Sequence, residues 1–228
     1  MKRDNLNKES VILKPEEINA YMESILLNEP DYAYITLFGL SVMTGLRKDE
    51  CCGLKWGNIN WKKKTISVTH KREVLEDINI PLKNPRTAAL PDPLADILRL
   101  ARSQQEYYYE RRVNDEEYVL MTDNNLEKGT LPNPAFVSKL LKFSTERVNR
   151  TRVALGKEAL PKVLLWDLRA TFITLCKDNV DYKELIYSTG HGFSNLDIED
   201  LSCIFQFDTE NRKSINDYIK SIITIEIE

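Results

Sequence analysis

Two arginine-centred segments carry the residue types best suited to chemistry. The first runs Thr44-Gly45-Leu46-Arg47-Lys48-Asp49-Glu50-Cys51-Cys52-Gly53-Leu54-Lys55-Trp56. The second runs Leu165-Trp166-Asp167-Leu168-Arg169-Ala170-Thr171-Phe172, and Ser188-Thr189-Gly190-His191-Gly192 follows it. A guanidinium is a permanently charged planar fork that grips paired anionic oxygens, so each centre suits a phosphate or a carboxylate. Gly45 lets the chain leave a buried helix sharply, which presents Arg47 at the mouth of a loop. Glu50 lies one helical turn further on, where it can hold that region in place. Leu168, Phe172 and Leu175 anchor a second helix from which Arg169 faces elsewhere. Taken singly, Arg47 reads as a surface cation near a helix end and Arg169 as a mid-helix salt-bridge partner.

Metal and disulfide chemistry find little support. His70 and His191 are the only histidines, Cys51 and Cys52 are adjacent, and Cys176 and Cys203 are isolated. No Cys-x-x-Cys or His-x-x-x-His pair occurs, so no structural zinc, no disulfide framework and no cofactor are expected. His70 reads as a structural strand residue, and Tyr107-Tyr108-Tyr109 as core plus surface on a long helix. The net charge of -3 argues alone against a nucleic-acid partner, but its distribution argues the other way. From Arg47 to Arg72 there are eight basic residues against two acidic ones, and from Lys139 to Lys162 seven against two. From Asp178 to Glu210 there are eight acids against Lys183 alone. That pattern suggests a polar molecule with one positive face.

With 228 residues, 42% of them hydrophobic, the chain makes one large domain or one plus appendages. The longest uncharged run, Tyr32 to Leu46, has 15 residues, too short and too polar for a membrane span, and no signal peptide is visible. A cytoplasmic location is expected. Helices are predicted from Lys14-Pro15, over Tyr32 to Met43, from Lys48 to Leu54, after Pro91-Asp92-Pro93 to about Arg112, and over Phe136 to Val148. Further helices are predicted over Asp167 to Lys177, Asp181 to Tyr187 and Asn211 to Ile219. Alternation over Ile59 to Val68 and Val74 to Leu82, with Lys83-Asn84-Pro85-Arg86 as a turn and Thr87 to Leu90 extended, predicts a small antiparallel sheet. Tyr118 to Met121 reads as a short strand. Residues 1–13 read as a tail or linker, 14–220 as the main domain and 221–228 as a C-terminal strand that pairs with its own sheet or a partner's. The expected fold class is α+β, mostly helical with a small antiparallel sheet.

These segments resemble the tyrosine recombinase (phage integrase) family. Its first box reads like Thr-Gly-Leu-Arg-x-x-Glu-x-x-x-Leu-x-Trp, matched here at Thr44, Gly45, Leu46, Arg47, Glu50, Leu54 and Trp56. Its second box is matched at Asp167, Leu168, Arg169, Thr171 and Phe172, and its Gly-His at Gly190 and His191. The segment Lys83 to Thr87, followed by Leu90-Pro91, is similar to the family's strand-turn that delivers a lysine. The resemblance spans about Ile12 to Ile219, in order, and implies a recombinase catalytic domain.

The resemblance implies metal-free transesterification on double-stranded DNA. Arg47 and Arg169 would fork onto the non-bridging oxygens of a phosphate that gains charge in the transition state. His191 would donate to the same phosphate, and Lys83 would protonate the leaving 5′ oxygen. Arg86 or a lysine of the Lys62-Lys63-Lys64 run stands as an alternative for that role. In the family a tyrosine attacks phosphorus and holds a covalent phosphotyrosine intermediate. Self-association on DNA as a synaptic tetramer and accessory DNA-bending proteins are implied partners.

The chain departs from the pattern at three places. Trp166 stands where the second box has its leading histidine, and Ala170 replaces a second histidine. From Gly192 to Asp217 there is no tyrosine; Phe205 stands nearest the nucleophile's place, after the acidic Asp197-Ile198-Glu199-Asp200, and Tyr218 comes next. A natural inactive relative, a Tyr→Phe change and use of Tyr218 through a fold-back are the alternatives, the last ranking lowest. The chain also begins at the catalytic domain, so a fragment or a truncated relative, with weak and salt-dependent DNA affinity, is expected.

Overall fold

A computed structural model describes residues 10–27, 32–73, 78–121, 132–190 and 212–225. The elements in chain order are α1 (Pro15–Leu27), α2 (Tyr32–Thr44), α3 (Lys48–Gly53), a 3-10 turn (Trp56–Asn58) and the strands β1 (Ile59–Asn60), β2 (Thr65–Glu73) and β3 (Ile78–Ala89). Then come α4 (Asp92–Tyr109), α5 (Pro134–Ala154), α6 (Leu165–Cys176), α7 (Tyr182–Thr189) and α8 (Lys213–Ile222). The architecture is mostly helical with one three-stranded antiparallel sheet in the order β1-β2-β3.

The nearly uniform apolarity of α2 dictates its place at the centre. Every residue from Tyr34 to Thr44 is buried, and the helix packs chiefly on α4 and α6. Tyr21 of α1 and Tyr34 flank Phe38 at ring separations of 5.2 and 6.0 Å, within the range of favourable aromatic pairs. The Tyr34 hydroxyl meets Thr145 Oγ1 of α5 at 3.1 Å, which satisfies both buried groups. Trp56 is fully buried because its indole N–H has a partner, donating to Gln105 Oε1 of α4 at 2.7 Å. None of the described helices is long and apolar enough to cross a membrane.

Four local expectations change. Lys83-Asn84-Pro85-Arg86 is no hairpin turn: it lies inside β3, where the register jumps from Val68↔Arg86 to His70↔Pro81. Thr69 therefore faces four residues, Leu82 to Pro85, in a bulge that throws Lys83, Asn84 and Pro85 outward and turns Arg86 in. Tyr118 to Met121 makes a single bridge, Lys55↔Tyr118, instead of a strand. The described part of the expected tail, residues 10–13, is docked: Leu13 is buried and its N–H donates to Thr171 Oγ1 at 3.1 Å. At the other end, Ser221 and Ile222 close α8, and no strand forms over residues 223–225. Asn19 explains that ending, because its Nδ2 donates to the Ile222 carbonyl and its Oδ1 accepts from the Thr224 N–H, both at 3.1 Å. Ile223 is buried within its own chain. Residues 226–228 lie outside the described residues.

Candidate active site

The two arginine segments meet where α2 ends and α6 begins. Gly45 takes a left-handed turn, φ 66°, after which the extended Arg47 opens α3. The Arg47 N–H donates to Glu50 Oε2 at 2.8 Å and its Nη1 donates to Glu50 Oε1 at 3.1 Å, so one carboxylate sets both the backbone and the fork of Arg47. The Arg47 side chain remains about half exposed, at 47%. On α6, Arg169 Nη1 donates to the Gly45 carbonyl and Nη2 to the Thr189 carbonyl at the end of α7, the latter at 2.8 Å. Those contacts stitch the first box, α6 and α7 together.

Asp167 does a local job. Its Oδ2 accepts from the Leu164 N–H at 2.7 Å, capping α6, and its Oδ1 accepts from the Val11 N–H at 3.2 Å. The helix start is thereby fixed, and with it the direction in which Trp166 and Arg169 leave the axis. Arg47, Lys48, Trp166 and Arg169 line one groove of about 470 Å³, whose apolar wall includes Leu46, Leu141 and Leu164. Trp166 is 59% exposed there. Burial and the neighbouring Arg47 lower the Arg169 guanidinium to about 10, against the opposing pull of Glu50. Cations crowded to that degree favour an anionic visitor.

The structure thus brings together Arg47, Arg169 and Trp166. Lys83 is exposed on the β3 bulge and is not among the groove's lining residues. His191 and Phe205 lie outside the described residues. Arg86 is deeply buried and forks onto Glu50, Nη1 to Oε1 at 2.8 Å and Nη2 to Oε2 at 2.6 Å, while its Nε donates to the Ser188 carbonyl at 2.8 Å. In the sequence Arg86 is an alternative to Lys83 within a polar segment whose composition gives no sign of burial, and the structure removes it from that role by pairing it with Glu50. Burial alone would raise the Glu50 carboxyl, but the hydrogen bonds and charge of Arg86, with help from Arg47, hold it below the usual carboxylate range.

Sequence comparison decides the family. The profile of the phage integrase family matches residues 12–191, most of the chain and both arginine segments. The chain belongs to the phage integrase family. A curated member, the tyrosine recombinase XerC-like protein of Caldanaerobacter subterraneus subsp. tengcongensis, is 26% identical over 215 residues. That alignment covers 86% of this chain and 50% of the relative, so the chain spans half the relative's length. Solved integrase and recombinase structures share the fold. The Tn1549 transposon integrase in complex with a circular intermediate DNA aligns with a TM-score of 0.63 at 17% identity, over 89% of this chain and 67% of that one. XerA recombinase aligns with a TM-score of 0.57 at 15% identity, over 88% and 65%. XerH recombinase bound to its difH substrate aligns with a TM-score of 0.55 at 18% identity, over 92% and 54%. This integrase-family chain therefore has the mostly helical fold with a small sheet that its motifs imply.

Proposed function

We propose that this chain is the catalytic part of a site-specific DNA recombinase that acts in integration or excision of a mobile element or phage. The observation that carries the reading is the shared groove: Arg47 and Arg169, more than a hundred residues apart in sequence, flank one cavity with Lys48 beside them. Two guanidinium groups so placed concentrate positive charge beside the non-bridging oxygens of one bound phosphodiester, an attraction that grows as those oxygens gain charge. Trp166 supplies an exposed face and one indole N–H, a hydrogen-bond donor that can neither accept nor relay a proton. Lys83 on its bulge and His191 after α7 complete the set by their matches to the family's boxes. DNA-bound relatives such as the Tn1549 integrase and XerH support duplex DNA as the substrate. Assembly on DNA as a tetramer belongs to the same proposal.

A second reading is a DNA-binding relative that grips phosphate without cutting. The absence of tyrosine from Gly192 to Asp217 favours it. Tyr218 is a poor substitute: it neighbours Cys176 electrostatically, and Cys176 lies seven residues past Arg169, about 10 Å along α6. Binding of the 228-residue chain to a short labelled duplex at low salt, followed by anisotropy, tests the groove. Arg169→Ala is expected to weaken binding; unchanged affinity would sink both readings, and a nicking assay on supercoiled plasmid separates them.

A further inference from the structure

Arg86 is not needed to balance charge at a surface, since its side chain is 3% exposed and Glu50 is 2% exposed. A buried ion pair of that kind gives little net stability compared with apolar packing, so its presence calls for another role. Its position supplies one. The bulge in β3 swings Arg86 inward from strand register with Val68. There its fork takes both oxygens of Glu50, the carboxylate that sets the backbone and side chain of Arg47. Its Nε holds the Ser188 carbonyl, one residue before Thr189, whose carbonyl accepts from Arg169. Gly190 packs against the Arg86 stem so closely that a Cβ there would lie 3.2 Å from Arg86 Cδ.

We propose that Arg86 is a positioning residue of the phosphate groove: it shares the Glu50 carboxylate with Arg47, so that only part of that negative charge is spent against the groove's cations, and it pins the end of α7 whose Thr189 carbonyl holds Arg169. The inference rests on the recombinase reading of the groove. Without Arg86, the full charge of Glu50 falls on Arg47 and its neighbour, and one cation's worth of attraction for the phosphate is neutralised from within.

The salt dependence of binding reads this directly, because each phosphate contact contributes close to one unit to the slope of log affinity against log salt. Arg86→Gln in the 228-residue chain is expected to lower the magnitude of that slope by about one, measured by anisotropy with a short labelled duplex. Glu50→Gln/Arg86→Gln, which removes both charges, is expected to return it to the original value. A purely structural pair would lower the thermal midpoint without moving the slope, and that result overturns the proposal. Should Arg86→Gln unfold at room temperature, its slope is measured in the cold with glycerol added to keep it folded: a slope lowered from that of the unaltered chain under the same conditions supports the proposal and an unchanged one overturns it. Arg169→Ala run alongside separates the two levels. If it lowers the slope and Arg86→Gln does not, the role of Arg86 fails and the groove stands; if it changes nothing, both fail.

Discussion

Gly45 rests so closely on Phe172 that a Cβ at position 45 would lie 2.6 Å from Cδ1 of the ring. The contact joins the first box to the second, and the same glycine's carbonyl accepts from Arg169. Its φ of 66° is one that L side chains adopt at a cost. Gly45→Ala should therefore combine a strained backbone with a clash against a buried ring, about 2 to 5 kcal/mol in all. Urea unfolding of the two chains measures it, and an unchanged midpoint refutes the close approach. Because the turn presents Arg47, DNA affinity should fall with it.

Glu50 gives the chain an acid-sensitive element. Its folded carboxyl titrates below the ordinary value, so the stability it contributes is fully present above that ordinary value, about pH 4.3, and is lost as pH falls through the lower folded one. Glu50→Gln should be clearly less stable than the unaltered chain at neutral pH, since Arg86 then lacks its anion. The gap should narrow on acidification below about pH 4. A gap that stays constant through that range in denaturant titrations contradicts the assignment.

The cysteine pair in the first box invites a reactive role, and its burial removes one. Cys51, Cys52 and Cys176 are free and buried. Burial raises Cys51 well above the usual thiol value and pushes Cys52 and Cys176 up to about 12, with Asp49 adding to the rise at Cys52. Only a thiolate reacts readily, so iodoacetamide at mildly alkaline pH should leave all three unmodified in the native chain and label them after denaturation. Peptide mapping by mass spectrometry reads the result, and native labelling at Cys51 as fast as in urea would contradict it.

Long-period features were legible in the sequence, and features set by a distant partner were not. The all-round apolarity of α2 announced a central helix, and the two boxes announced arginines that share a groove. Lys83-Asn84-Pro85-Arg86 has the composition of a solvated turn, yet Glu50 and Ser188 draw Arg86 inside and make a bulge of it. The segment before Pro15 looked like a tail because its partners, Asp167 and Thr171, lie over 150 residues away. The alternation from Ile223 onward has the pattern of a strand, but over residues 223–225 the chain is set by the preceding amphipathic helix and the Asn19 contacts that close it.

The tyrosine-free stretch from Gly192 to Asp217 gives the sharpest chemical prediction. Covalent strand transfer requires an oxygen nucleophile that attacks phosphorus, and a phenylalanine ring has none. The unaltered chain should form no protein–DNA adduct with a nicked suicide duplex on denaturing gels. On the proposed reading, Phe205→Tyr places a phenolic hydroxyl nearest the nucleophile's place in the sequence and should produce a shifted, protease-sensitive band. Adding Arg169→Ala to that variant should abolish the band, since charge on the non-bridging oxygens would then lack its fork. An adduct with the unaltered chain would show that another residue attacks, and Tyr218→Phe would then reveal whether it is the tyrosine of α8.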